Sequence, residues 1–246
     1  MAFAEPSPKQ EFELLASIFD ATDKDDFIQR LTKVVRSCGF ESFLIGLELK
    51  GVNGAVIHHV TSAYPVAWQK LYVEREYAFQ DPTVAYCQKT TEPLVWHDQM
   101  FSDAGCESLL EEAQSHGVSH GISVAVHERS GRKSMLSLAR DQSFRHDPSE
   151  QSLLVAYARI LSSCMHVVAT RLIAPQIEDP NRPKLSKQET ECLQWVAKGK
   201  TSWEVGQIMH IAEPTVVFHL KNVMKKLGTV NRIQALAVAM RLGLVD

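Results

Sequence analysis

Between Tyr64 and Phe101 the chain collects side chains that join a large apolar body to a polar tip: Tyr64, Trp68, Tyr72 and Tyr77, then Asp81, then Trp96, with Phe101 closing the series. An ionised aspartate only accepts hydrogen bonds, an indole N–H only donates, and a phenol does both. Such a set can hold an uncharged polar ligand between apolar walls, provided each buried polar atom finds a partner. Tyr64, Trp68 and Tyr72 recur at four-residue steps and so share one helical face. Aromatics at that spacing also build ordinary cores, and an acid directly before Pro82 also caps a helix, so the group by itself leaves core and pocket open. A second set lies far along the chain, where Lys221, Asn222, Lys225 and Lys226 suit phosphates and base edges.

Other chemistries find less support. The ten histidines include His58-His59 and the pair His116 and His120, but no cysteine or acid joins them at metal-ligand spacing, so they are expected at the surface and no metal site is expected. Ser137 lacks the G-x-S-x-G surroundings of a nucleophile. The five cysteines, at 38, 87, 106, 164 and 192, are odd in number and scattered, which points to reduced thiols and not to a disulfide framework. The first residues show no basic segment followed by an apolar run, and no stretch approaches the roughly 20 apolar residues that span a bilayer. A soluble, cytoplasmic protein without membrane contact is the expectation.

The basic set belongs to residues 185–227, which read as three successive helices forming a helix-turn-helix. Ser186 is followed three residues later by Glu189, Thr201 by Glu204, and Asn231 by Gln234, the spacing of N-terminal capping boxes. Gly199, Gly228 and Gly243 stand where helices would end. Between these signals the apolar residues recur every three or four positions: Leu185, Cys192, Leu193 and Val196, then Val205, Ile208 and Met209, then Val216, Leu220, Val223 and Leu227. The formal charge of -3 divides unevenly. From Pro183 onward nine Lys and Arg face five Asp and Glu, a balance of +4 that leaves -7 for the rest. An acidic body with a basic tail is the asymmetry of a protein only part of which meets phosphates.

The aromatic set sits in a body of mixed pattern. Helical periodicity covers residues 10–19 and 25–38, strands 42–49 and 55–61 join across Gly51, Asn53 and Gly54, and helices follow at 65–75 and 82–88. A brief extended piece spans 93–96, one amphipathic acidic helix 103–116, and a second hairpin, 121–128 with 134–140, turns around Ser130 and Gly131. Pro148–Leu172 is the longest helix, with an apolar arc wide enough to cover a sheet and still meet another chain. Residues 174–184, with three prolines, read as a semi-rigid linker. The division is thus 1–173, a linker at 174–184, and 185–246. The fold class is α+β: an N-terminal α/β/α sandwich around an antiparallel sheet, and an all-α, four-helix C-terminal helix-turn-helix domain.

Tyr64-Pro65-x-x-Trp68-x-x-x-Tyr72, then Asp81-Pro82-Thr83, Trp96 and Gly117-x-x-x-Gly121, resembles the autoinducer-binding domain of LuxR-type quorum-sensing transcription regulators. Glu189, Leu193 and Gly199, with Thr215-Val216-x-x-His219, resemble the DNA-binding domain of the same family, in the same order. The resemblance implies a ligand of the N-acyl-homoserine lactone class and no other cofactor. Trp68 would donate to the lactone carbonyl, Asp81 would accept from the ligand amide, Tyr64 and Ser137 would meet the acyl carbonyl, and Trp96, Tyr72 and Phe101 would wall the lactone ring, with Thr83 also in the ligand set. Leu44, Gly46, Val60, Val84 and Met135 would line the acyl tail. Ala125, His58 and Met135 depart from the usual pattern, and the flexible Met135 suggests a short or medium tail.

In the tail domain, Ala212 and Glu213-Pro214 open the recognition helix where relatives often place a capping serine, at a cost of about 1 kcal/mol. Base reading would fall to His219, Lys221 and Asn222, with Val217 against a thymine methyl, while Thr201, Thr215, Lys221, Lys225 and Lys226 would meet phosphates. The implied protein is a ligand-responsive regulator, not an enzyme, acting as a homodimer on two-fold symmetric DNA. Its dimer surfaces would be Pro148–Leu172 and the last helix. An orphan regulator answering another small molecule, or none, is the alternative.

Overall fold

The structure, a computed structural model, describes residues 8–50, 56–144, 148–177 and 183–245. The Gly51, Asn53, Gly54 turn and the middle of the 174–184 stretch lie outside the described residues. Helix α1, Pro8–Ala16, runs into a 3-10 turn, Ser17–Asp20. Helix α2, Lys24–Ser37, starts at Asp23, whose carboxylate accepts the Asp26 N–H at 2.9 Å, and it buries Phe27, Leu31, Val34 and Val35, its one apolar face.

Strands β1 (Ser42–Lys50) and β2 (Val56–Ser62) precede helices α3 (Val66–Glu74) and α4 (Pro82–Lys89). The short β3 (Leu94–Val95) leads to α5 (Asp98–Asp103) and α6 (Glu107–Ser115), then β4 (His120–His127), β5 (Lys133–Arg140) and α7 (Pro148–Leu172).

The strands form one sheet in the order β2-β1-β5-β4-β3, antiparallel wherever β5 or β4 takes part. Ser137 lies opposite Leu44 on one side and Ser123 on the other, and Met135 lies opposite Gly46 and Ala125. Alternation along the strands gives the sheet two different faces. Phe43, Ile45, Ile122, Val124, Leu136 and Leu138 pack against α2 and against Leu161, Met165 and Val168 of α7, in a core where each such side chain contributes roughly 1.5–3 kcal/mol. The opposite face meets α3 to α6 through Tyr64, Trp68, Tyr77, Phe101, Leu109 and Ala113. The body is the expected α/β/α sandwich.

Two expectations change. The acidic helix expected at 103–116 starts only at Glu107, after a short helix, α5, that was not expected and ends at Asp103; Gly105 at φ 67° reverses the backbone between them, and Cys106 N–H closes back on the Phe101 carbonyl at 2.9 Å. The expected linker begins with a further helical turn, α8 (Ala174–Ile177), held by the burial of Ile173 and Ala174. Helix α7 is also long and apolar enough, by length and composition, to cross a membrane over Ser149–Leu172, which the sequence reading had not recognised. Leu161, Met165, Val168 and Ala169 put one side of that helix in the core, while Leu153, Ile160 and Val167 stay exposed.

The helices from Lys187 onward belong to a second compact unit: α9 (Lys187–Ala197), α10 (Ser202–Met209), α11 (Glu213–Leu227) and α12 (Arg232–Arg241). Cys192, Leu193, Val205, Val216, Leu220, Val223, Ala235 and Ala239 make its core. Both arms of the capping box form at Ser186 with Glu189 and at Thr201 with Glu204. At Asn231 the side chain caps Gln234 N–H at 2.8 Å, while Gln234 reaches one residue further, to Val230 N–H at 3.0 Å. Ala212 supplies no side-chain cap to α11, and Gly228 ends that helix at φ 63°.

Candidate functional site

A cavity of about 660 Å³ lies between the second face of the sheet and helices α3 to α6. Tyr64, Trp68, Tyr72, Asp81, Thr83, Trp96, Phe101 and Ser137 all line it, as do Leu44, Gly46, Val60, Val84 and Met135. Polar atoms gather at one part of the wall. Asp81 is the N-cap of α4, so its Oδ1 accepts from the Thr83 N–H (2.8 Å) and the Thr83 hydroxyl (2.7 Å), and its Oδ2 accepts from the Tyr72 hydroxyl (2.9 Å). Burial pushes the Asp81 carboxyl above the usual carboxylate range, and the bonds from Thr83 and Tyr72 pull it partly back. Burial beside Asp81 likewise drives the Tyr72 phenol far up, so it remains a donor. Thr83 thus serves the site by holding Asp81, since its hydroxyl is already given.

Two donors in this wall are unspent. Tyr64 is buried, its hydroxyl has no hydrogen-bond partner, and burial next to Asp81 raises its pKa well above that of a free phenol. Trp68 is only 3% exposed and packs edge-on against Tyr72 at 5.6 Å and tilted against Tyr77 at 6.0 Å and His116 at 5.8 Å. Its indole N–H has no acceptor among the described residues. Trp96, by contrast, donates to Ser123 Oγ at 2.9 Å, and Ser123 is joined to Ser137 at 2.8 Å. The Trp96 ring lies against Gly121, where a Cβ would stand 2.7 Å from its Cε3 and 2.6 Å from the Leu138 carbonyl. Gly121 is therefore a contact requirement and not a turn.

Ser123 escaped the sequence reading, although a serine in an otherwise apolar strand, in register with Ser137, was a usable signal. So did the cavity residues Gln69, whose amide donates to the Tyr64 carbonyl at 2.6 Å, and Cys87, whose thiol burial pushes up to about 12. His166 corrects the surface reading of the histidines. It is 6% exposed and joined through Nδ1 to buried Ser134 at 2.7 Å, because α7 lays that side against the sheet. Among the described residues no group of three His, Cys, Asp or Glu side chains is placed to hold a metal ion.

On the second unit, Lys221 and Lys225 are exposed on α11, with Thr215, Val217, His219 and Asn222 half-buried beside them. Phe218, which the sequence reading passed over, is 59% exposed on the same helix and stands edge-on to His219. Two of the expected phosphate contacts have other employment. Lys226 Nζ donates to Glu189 Oε2 at 2.6 Å and to the Lys184 carbonyl at 3.1 Å, tying α11 to the start of α9. The Thr201 hydroxyl both donates to Glu204 Oε2 (2.9 Å) and accepts the Glu204 N–H (3.3 Å), so it caps α10.

Residues 23–170 match the family described as autoinducer binding domain, and residues 183–239 match that of bacterial regulatory proteins, luxR family. The chain belongs to the LuxR family of quorum-sensing transcription regulators. It is 31% identical over 235 residues to the transcriptional activator protein AnoR of Acinetobacter nosocomialis, covering 95% of this chain and 98% of AnoR. It is 31% identical over 225 residues to the transcriptional activator protein VanR of Vibrio anguillarum, at 92% and 93% coverage. The crystal structure of Escherichia coli SdiA shares the fold, with a TM-score of 0.71 at 24% identity over 96% of this chain and 98% of SdiA. SdiA in complex with octanoyl-rac-glycerol gives 0.70 at 23% identity, over 96% of this chain and 95% of that one. In a LuxR-family chain the first domain takes a small-molecule ligand and the helix-turn-helix binds DNA.

Proposed function

We propose that this LuxR-family regulator senses an N-acyl-homoserine lactone in the cavity and binds a two-fold symmetric operator as a homodimer. One observation carries the ligand assignment. Trp68 with its indole donor, Tyr64 with its buried and unpaired hydroxyl, and the acceptor Asp81 line one cavity. An acyl-homoserine lactone offers the complement: a lactone carbonyl for Trp68, an acyl carbonyl for Tyr64 and Ser137, and an amide N–H for Asp81. Leaving the Tyr64 hydroxyl desolvated and unpaired costs about 1–3 kcal/mol, which the ligand recovers, so it binds and stabilises the folded domain together. Trp96, Tyr72 and Phe101 then enclose the ring, and Leu44, Gly46, Val84 and Met135 the tail. Sensing falls to residues 1–173, with α8 extending that body, and DNA binding to 185–246.

Dimerisation draws support from two unpartnered stripes. Leu153, Ile160 and Val167 of α7 are 70%, 45% and 55% exposed at seven-residue steps, and the exposed Ala156 and Ser163 stand between them, the spacing of a helix-helix seam. On α12, Ile233 (73%) and Met240 (48%) repeat the step. DNA reading falls to Val217, His219, Lys221 and Asn222, with Thr215, Lys221 and Lys225 on phosphates. Two tethered modules gain effective concentration that one short recognition helix lacks.

The deciding experiment is mass spectrometry of small molecules extracted from folded protein expressed with a mixture of lactones. Recovery of one lactone above a mock extraction is expected. Folded protein that retains none would defeat the assignment. The SdiA complex with octanoyl-rac-glycerol favours a second reading, a neutral acylglycerol, and the same extraction separates the two by mass.

A further inference from the structure

Three cavity-lining side chains are unusually exposed for their type: Val60 on β2 (59%), Val73 on α3 (75%) and Phe79 (88%) in the 3-10 turn Tyr77–Phe79. Single exposed apolar residues are ordinary, but three that rim one opening mark a surface that something apolar covers. The reversal at Glu76, held at φ 55°, turns Tyr77 inward and leaves Phe79 at the rim. Strand β2 is an edge of the sheet, and its Val60 lines the cavity together with Val73 and Phe79 from across it.

The other route out is closed by polar groups. Along the strands, two residues beyond Met135, Lys133 Nζ donates to the Gln88 carbonyl at 3.0 Å and faces Glu48 at 3.9 Å, while His127 Nε2 bonds the Cys87 carbonyl at 2.8 Å. An apolar tail that ran straight down β5 would have to break that clasp and desolvate its charges. A tail that turns across β1 towards the edge passes Gly46 and Met135 and reaches the apolar rim, with His58 and Ser62 beside Val60 on β2.

We propose that the acyl tail of the ligand leaves over the edge strand and lies on Val60, Val73 and Phe79, which makes this a site for long-chain acyl ligands. The inference rests on the lactone reading above, and it replaces the short or medium tail expected from Met135. Two strand spacings sideways and one side-chain repeat along the sheet put the rim roughly 12 Å from Ser137. An extended acyl chain advances about 1.3 Å per carbon, so an octanoyl tail ends inside and a dodecanoyl tail reaches the rim.

Calorimetric titration of the full-length protein with hexanoyl, octanoyl, decanoyl and dodecanoyl homoserine lactones tests this. Affinity should rise along the series, with dodecanoyl about tenfold tighter than octanoyl. The double variant Val73→Ser/Phe79→Ser should raise the dodecanoyl Kd about tenfold relative to the hexanoyl Kd, and Val60→Thr should raise it less in the same direction. Affinity that peaks at octanoyl or shorter, or a double variant that weakens all four ligands equally, overturns the tail path while leaving the lactone reading intact. If none of the four binds, the lactone reading itself fails. Both serine positions are at least three-quarters exposed, so an unchanged melting temperature is expected to certify the variant.

Discussion

Replacing Lys226 by Met separates holding the DNA-binding unit together from touching DNA. Glu189 has 5% of its side chain exposed and Lys226 has 40%, with 2.6 Å between the charged atoms. Burial alone would push the Glu189 carboxyl up, yet Lys226 and the Ser186 N–H more than offset it and hold it below the usual range. Removing one partner of a fully buried pair costs about 3–5 kcal/mol, whereas an exposed pair is worth about 0–1. Water reaches the ammonium here, and the 2.7 Å bond from Ser186 N–H survives the change, so the loss should be about 2 kcal/mol.

In hydrogen-exchange mass spectrometry that loss reads as roughly thirtyfold faster exchange in α9 and α11, with the sheet domain unaffected. A carboxyl with a depressed folded pKa stabilises above its ordinary pKa and loses that contribution as pH falls through the folded value. The difference between the parent and Lys226→Met should therefore close in acid. Unchanged protection in α9 and α11, together with a salt slope of DNA binding reduced by about one, would refute the structural role and return Lys226 to the phosphates.

Three further outcomes follow from the geometry. Gly121→Ala must move the Trp96 ring or the Leu138 carbonyl, which should cost about 1–3 kcal/mol by urea unfolding and weaken ligand binding, because the Trp96–Ser123–Ser137 chain shifts with it; unaltered binding would free Gly121 from the site. Asp81 has a raised folded pKa, so its ionisation subtracts stability as pH climbs from the ordinary carboxylate value towards the raised one. A ligand N–H favours the ionised form, so binding in that window should release a proton, detectable by calorimetry in buffers of different ionisation enthalpy, and heats independent of buffer would sink the role. Lys221→Ala should lower DNA affinity across all sequences and flatten its salt dependence without moving the ligand Kd, and equal salt slopes would remove Lys221 from the interface.

What could be read in the chain was whatever its local chemistry repeats. Capping pairs three residues apart placed α9 and α10, because the hydrogen bonds concerned close within one turn. The aromatic series between Tyr64 and Phe101, apart from Tyr77, whose hydroxyl goes to Glu112, came together on one cavity because the elements that carry it are short and consecutive. Pairings across long separations stayed hidden. Lys226 and Glu189 stand 37 residues apart, and nothing near Lys226 distinguishes it from Lys225, which is free to face solvent. Ser123 needed the register of β4 on β5 before its bond to Trp96 made sense. Periodicity also ran straight through Gly105, because an amphipathic pattern reports which side is apolar and not whether the helix is continuous. Hydropathy likewise hid the mouth of the cavity, since Val73 and Phe79 have the composition of a core and the exposure of a surface.

Strand β5 is a shared wall. Ser137 and Met135 face the cavity, while Leu136 and Leu138, one step away on the same strand, are pressed by α2 and α7 from behind. Whatever fills the cavity and whatever packs on α7 are thus separated by a single thickness of backbone, with no other layer to absorb a displacement. An occupant that seats differently against Met135 is felt by the helix through Leu136 and Leu138, and a substitution on the exposed side of α7 is felt by the occupant along the same line. Tolerance to mutation should therefore alternate residue by residue along β5 between two kinds of failure: loss of folding at one parity, loss of hearing at the other.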